Sequence, residues 1–306
     1  MVGQLADIHR LASAEIVVGV DGSDASERAL DWAVALAAEH RRVVRVVHGL
    51  GLDRVSRVFG RYAVWVPPVL CAARVRAETL VERCARRARD AAPEVRVDTE
   101  VSAEGPAALL RRLSGSAYLT VLGAAGTNGL RTHLGTTLLA VTAHGFGSIA
   151  VVRTDSETDV VRGVGPVVVG VDGSAVSEAA LGAAFEESSQ RGAELVAVHV
   201  WNDTNFGEFA GDPYLLFLVP DIEVNEHAVL AERLAGWQEK YPEVTVTRSV
   251  AMSSPAGVLR KWSESAQLVV VGSRGRGGFG GLLLGSTSNS LVQHAQCPIM
   301  IVHPAM

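Results

Sequence analysis

The residues with the most definite chemistry lie near the C-terminal end. The apolar run Leu268-Val269-Val270-Val271 opens into Gly272-Ser273-Arg274-Gly275, and nine residues further on stands Gly285-Ser286-Thr287-Ser288. Glycines let a main chain approach an anion closely and turn through positive φ. Consecutive amides in such a turn form a nest for anionic oxygens. Hydroxyls and amides at a helix start meet negative charge with a favourable dipole, and the segment that follows has Leu291, Val292 and Ala295 on one helical face. Arg274 and Arg276 add positive charge. Strand, glycines, hydroxyl cluster and helix thus occur in the order that a phosphate cradle needs. The competing reading is a flexible glycine-rich surface loop, to which Gly277-Gly278 and Gly280-Gly281 contribute.

A carboxylate stands at the end of another apolar run, Val167 to Asp172. There Asp172 can accept hydrogen bonds from a sugar or a base. Asp172-Gly173-Ser174 also reads as an Asx-type turn into a helix, and the two roles are compatible. His48 and His199 occupy equivalent strand ends and are expected to be structural histidines beside a pocket, with acid–base catalysis as the alternative. Ser23 and Ser174 are expected at helix starts, not as nucleophiles.

Catalytic patterns are missing. There is no GxxxxGK[ST] phosphate loop, and neither lysine, Lys240 or Lys261, lies near the glycines. No carboxylate pair beside the loop suggests a magnesium site or general base. No HExxH or paired metal spacing and no G-x-S-x-G elbow occurs.

The elements that must position these groups come in two rounds. Ile16-Val17-Val18-Gly19-Val20-Asp21-Gly22-Ser23 returns 151 positions later as Val167-Val168-Val169-Gly170-Val171-Asp172-Gly173-Ser174. VVRVVH at 43–48 returns as ELVAVH at 194–199; Gly105-Pro106-Ala107 matches Ser254-Pro255-Ala256; Thr120–Gly123 matches Val269–Gly272. Four islands in constant order mark an internal repeat. Domains are expected at 1–155 and 164–306, joined by the polar stretch Thr154 to Gly165. Within each copy, β-branched runs alternate with helical patterns, predicting two tandem doubly wound α/β domains, each a mainly parallel five-stranded sheet flanked by helices. Helices are predicted over 78–91 and 228–240 among others, and Asp24 with Glu27 has capping-box spacing. Ligands in such sheets sit beyond the carboxyl ends of the strands.

Composition sets the class. A content of 48% hydrophobic and 20% charged residues over 306 residues fits a soluble chain with a real core. A net charge of −5 with no clustered basic run argues against nucleic-acid binding. No apolar run is long enough to span a bilayer; Tyr214 to Val219 is expected to pack as a loop on a neighbouring domain or subunit. Three cysteines, Cys71, Cys84 and Cys297, lack CxxC spacing, so a reducing cytoplasm is expected, with Cys297 a buried thiol.

The pattern G-x2-G-x9-G-[S/T] after a strand, with an aspartate closing the first strand, resembles that of the universal stress proteins, in two tandem copies over nearly the whole chain. The resemblance implies that Asp172 and Val200 line the base and sugar of ATP, with or without Mg2+. It implies that Gly272, Gly275, Gly285, Ser286 and Thr287 hold sugar and phosphates, with Gly173, Arg274 and Ser288 beside them. The first copy departs: Gly123-Ala124-Ala125-Gly126 is followed by eight residues before Gly135-Thr136-Thr137, and the arginine between its first glycines is absent, although Arg131 lies later in the loop. Asp21 and Gly22 persist, but Gly49 stands where Val200 does, removing an apolar contact. This half either binds nucleotide or is a degenerate copy kept for structure. The family further implies a role in stress, dormancy or growth control with an unidentified protein partner. A homodimer or an intramolecular pseudo-dimer is expected, with Ile149–Val152 and Ile299–Val302 as candidate seams. A slow ATPase or phosphotransferase and a ligand-free scaffold are the competing classes.

Overall fold

A computed structural model describes residues 14–52, 66–124, 135–201, 215–275 and 284–304. The chain divides into two compact units after Arg153.

The first unit runs β1 (Ile16–Gly19), α1 (Asp24–His40), β2 (Val44–Gly49), α2 (Val66–Ala91), β3 (Val97–Ser102), α3 (Pro106–Ser114), β4 (Leu119–Gly123), α4 (Thr136–His144) and β5 (Ser148–Val152). Its strands lie in the order β3-β2-β1-β4-β5, with every pairing parallel. The chain enters at the centre, winds to one edge, returns and winds to the other. That reversal separates the ends of β1 and β4, which is where an open sheet leaves a crevice. Ile16, Val18, Val44, Val46, Leu119, Val121 and Ile149 are fully buried, as strands covered on both faces must be.

The second unit repeats the plan: β6 (Val167–Val171), α5 (Ala175–Arg191), β7 (Leu195–Trp201), α6 (Leu215–Lys240), β8 (Val246–Met252), α7 (Pro255–Trp262), β9 (Leu268–Gly272), α8 (Ser286–His294) and β10 (Ile299–Val302). The order is β8-β7-β6-β9-β10, again parallel throughout. The predicted fold class is the one observed.

Local details depart from the sequence reading. Asp24 is not a cap. Ser23 and Ser174 stand at helix starts as expected and are the N-caps, each accepting the amide three residues on, from Ser26 and Ser177. The helices expected over 78–91 and 228–240 begin a dozen residues earlier, so Leu215 to Val219 open α6 and do not form a loop. Cys297 is fully buried as expected, Cys84 is buried and Cys71 is exposed.

The copies differ in what locks the second helix to the first. In the first, the Arg87 guanidinium forks onto Asp31 at 2.8 and 2.7 Å and reaches Glu27 at 3.1 Å. In the second, the Trp237 indole N–H donates to Glu178 at 2.6 Å, and its ring stacks on Phe185. Gly182 makes room, since a Cβ there would stand 2.5 Å from the indole. Among the described residues no helix is long and apolar enough to cross a membrane.

Candidate functional site

In both units a short turn carries the chain from the first strand into the first helix, and it is built the same way. The glycine after the aspartate takes positive φ, +83° at Gly22 and +77° at Gly173, a conformation costly for other residues. That turn lets each carboxylate fold back onto the helix start. Asp21 Oδ1 accepts from the Ser23 amide at 2.9 Å and from its hydroxyl at 2.6 Å. Asp172 Oδ1 accepts from the Ser174 amide at 2.9 Å, and the Asp172 amide donates to Ser177 Oγ at 3.0 Å. The Asx turn is therefore present in each copy. Partial desolvation opposes ionisation of Asp21, but the hydrogen bonds from Ser23 and Ser26 outweigh it and hold its carboxyl below the usual carboxylate range.

His48 and His199 tie the second strand of each sheet to the first. Their Nδ1 atoms lie 2.7 Å from the Val20 and Val171 carbonyls, so Nδ1 carries the proton and donates. His199 Nε2 also meets Glu226 of α6 at 2.8 Å, a contact with no signal in the sequence, because Glu226 is 27 residues away on another element. Both nitrogens of His199 thus serve architecture.

The glycine loop of the second unit is tied at three points. Ser273 N donates to Val302 O and Gly285 N to Ser273 O, each at 2.8 Å, while Ser288 Oγ donates to Gly272 O at 2.6 Å. Gly272 lies against Val176 of α5. Gly275 lies so close to Asp172 that a Cβ would overlap Oδ2. Asp172, Gly173, Gly272, Gly275 and Gly285 are thus brought together, with the exposed Arg274 at the rim. The Ser288 hydroxyl and the Gly285 amide are engaged within the protein, leaving Ser286 and Thr287 as the residues with polar groups to offer. Val200 sits at the end of β7, paired with Ala251 and half-buried.

The helix that follows starts without a side-chain cap. Gly285 is its N-cap at φ −64° and ψ 152°, and the first intrahelical bond is Asn289 N to Gly285 O at 2.9 Å. The amides of Ser286, Thr287 and Ser288 consequently have no intrahelical partner. The first unit matches this: Gly135 caps α4 without a side-chain bond, and Leu139 N closes the first turn at 3.1 Å. By contrast, α1 and α5 carry serine caps. Uncapped amides facing a glycine turn suit an anionic oxygen. Gly126, Arg131 and Arg276, with the four glycines at 277–281, lie outside the described residues.

The first unit holds a cavity of about 250 Å3 at the ends of β1, β2 and β4, bordered by Asp21, His48, Gly123, Gly135, Thr136 and Thr137. Gly123 is required there, since a Cβ would overlap the Ala25 carbonyl in α1. The wall beside Gly49 is nonetheless apolar. Pro106 of α3 comes so near that a Cβ on Gly49 would meet its backbone at 2.7 Å, and Pro106, Leu109 and Leu110 form the apolar wall. Pro106 belongs to a repeat island but carries no chemistry of its own, so the sequence offers no sign of this role.

The model of the universal stress protein family matches residues 14–153 and again 163–303. The chain belongs to the universal stress protein family. A universal stress protein of Mycolicibacterium smegmatis is 39% identical over 293 residues, spanning 94% of this chain and 97% of that one. One from Mycobacterium tuberculosis is 37% identical over 295 residues, covering 94% and 96% respectively. Among solved structures, a universal stress protein of Archaeoglobus fulgidus superposes with TM-score 0.68 at 19% identity, over 94% of this chain and 98% of that chain, a likeness of fold. The tandem arrangement of this universal stress protein is thus shared with relatives that match it almost end to end.

Proposed function

We propose that the second unit binds ATP and that the chain is a nucleotide-dependent factor in stress response or growth control, acting in the cytoplasm. The observation that carries this reading is the glycine-capped start of α8, standing beside a loop that folds Gly275 onto Asp172. Free amides at 286–288, with the Ser286 and Thr287 hydroxyls, fit phosphate oxygens. Asp172 and Val200 fit sugar and base. The Arg274 guanidinium at the rim adds charge for the outer phosphates. Among the described residues no three His, Cys, Asp or Glu side chains come together as a metal cage. Mg2+, where present, would accompany the triphosphate and be ligated mostly by phosphate oxygens and water.

Binding without turnover is the favoured reading. His199, the histidine at the end of β7, is engaged at both nitrogens, with Val171 O and Glu226. Dimerisation of the whole chain belongs to the same proposal, and light scattering that returned only monomer mass would remove it. Native mass spectrometry of freshly purified protein tests the central point: a bound mass near that of ATP is expected. Preparations that bind no ATP in calorimetry would leave a ligand-free scaffold. Phosphate release that is lost with Gly275→Ala would instead make the protein an ATPase.

A further inference from the structure

The ring of His199 is held at both nitrogens, and its partners fix where the protons lie. Nδ1 stands 2.7 Å from the Val171 carbonyl, and Nε2 stands 2.8 Å from Glu226 Oε2. A carbonyl oxygen only accepts, so Nδ1 carries a proton. A carboxylate also only accepts, and a bare Nε2 would set two lone pairs against each other at hydrogen-bond distance. A second proton therefore lies between Nε2 and Oε2. Imidazole is the stronger base of the two side-chain types, which puts that proton on the ring and makes the pair an imidazolium and a carboxylate. The residue is only 7% exposed, so water does little to replace a lost partner.

This pair lies beside the groups read as nucleotide ligands. His199 directly precedes Val200, and the carbonyl it holds belongs to the residue before Asp172. Glu226 brings α6 to the same point. In the first unit α2 has Ala77 at the matching position, counted back from the helix ends Ala91 and Lys240, so this carboxylate is particular to the second unit. Near this end of the sheet the packed elements carry other titratable or charged groups among the described residues. Asp172 Oδ1 accepts from the Ser174 amide, and Glu178 of α5 accepts from the Trp237 indole. Arg248 of β8 stands two residues before Val250, the ladder partner of His199, and is exposed. His227 follows Glu226 on α6 and is half-buried.

We infer that Glu226 is a positioning residue which, by holding His199 doubly protonated, makes ATP binding by the second unit depend on pH. This rests on the reading of that unit as the ATP site. With the proton in place the pair is neutral as a whole. When rising pH moves the Nε2 proton to water, Nδ1–H stays on Val171 O and Glu226 keeps its charge. One uncompensated negative charge then remains at the end of β7. It repels the phosphates of ATP, and facing a lone pair it no longer holds α6 to the strand. Proton and ATP thus favour each other's binding, and the coupling is reciprocal: ATP draws a proton onto the ring just as acid tightens ATP. Acidification fills the site at an ATP concentration that leaves it empty in alkali.

Two measurements on the full chain test the proton and the coupling separately. Nitrogen NMR of ligand-free protein labelled at histidine reads the ring without ATP. Both nitrogens of His199 are expected to carry protons near neutral pH. In Glu226→Gln the amide can donate to a bare nitrogen, and Nε2 is expected to lose its proton. A parent ring protonated at Nδ1 alone overturns the inference, whatever the variant does. Titration calorimetry with ATP reads the coupling between about pH 6 and pH 8, the span in which histidines titrate. The affinity of the parent chain is expected to fall with rising pH by about fivefold or more beyond the change in Glu226→Gln, the lower end of ordinary coupling between sites. The ionisation of ATP itself is common to both chains and cancels, and a thermal melt confirms that the variant is folded. Equal pH profiles in the two chains overturn the inference, because a merely structural Glu226 would shift affinity alike at every pH. A doubly protonated ring in a chain that binds no ATP at any pH overturns the proposed function of the second unit and leaves the protonated pair standing.

Discussion

Replacing Gly285 separates the stability of the fold from the affinity of the site. Its backbone, φ −64° and ψ 152°, closely matches that of the two serine caps, Ser23 at −77° and 156° and Ser174 at −75° and 159°. A Cβ at 285 would meet Ser273 O at 3.4 Å, an ordinary contact, so alanine, serine and aspartate all fit without strain. Among the described residues no protein atom therefore crowds a side chain at this position. Serine or aspartate should instead satisfy the free amides of α8 from within, and stability should rise by a few tenths of a kcal/mol for a side-chain cap in place of glycine. Aspartate adds about 0.3–1 kcal/mol through the helix dipole. A bound phosphate then competes with that carboxylate for the same amides. Two charges at 4 Å with an effective dielectric near 20 repel by about 4 kcal/mol, and every 1.4 kcal/mol is about tenfold in affinity. Gly285→Asp should thus weaken ATP binding by about a hundredfold or more while raising the urea midpoint. Gly285→Ser should weaken it by about tenfold. Titration calorimetry and urea denaturation read the two effects independently. An aspartate variant that bound ATP within threefold of the parent chain would refute the argument, because the amides would then not be the anion site.

Other substitutions test the remaining contacts. Gly275→Ala forces either the loop or the Asp172 carboxylate to move, and calorimetry should show ATP affinity falling by about tenfold to a hundredfold, the loss of one charge-assisted hydrogen bond of about 1.5–3 kcal/mol. Ser174→Ala removes the cap of α5 and should cost about 1 kcal/mol in urea denaturation. Gly182→Val drives a side chain into Trp237 and should destabilise by about 1–3 kcal/mol with loss of near-ultraviolet dichroism. Asp21 ionises more readily in the folded chain than in the unfolded one. Its contribution to stability is therefore present above its ordinary value of 3.8 and is lost as pH falls through the lower folded value. Asp21→Asn should flatten the acid limb of stability below pH 3.8; an unchanged slope in acid titration followed by fluorescence would remove that assignment.

The sequence by itself determined the doubled architecture. Runs such as Val167–Val171 and Leu268–Val271 are apolar on successive residues, a pattern that only a strand covered on both faces tolerates. Asp172-Gly173-Ser174 likewise announced its Asx turn, because that bond depends on a neighbour two residues away. What only the tertiary structure decided involves groups distant along the chain. Pro106 stands over Gly49 because α3 is brought across β2. Glu226 meets His199 from α6. The Ser288 hydroxyl is consumed by Gly272 O, so it ties helix to strand and leaves only the amide of that residue to offer. The space beside Gly285 comes from the path of residues 273–275. Spacing along a chain fixes local hydrogen bonds and the period of burial; which distant atom fills a gap depends on how helices settle on the sheet, and that is set by packing.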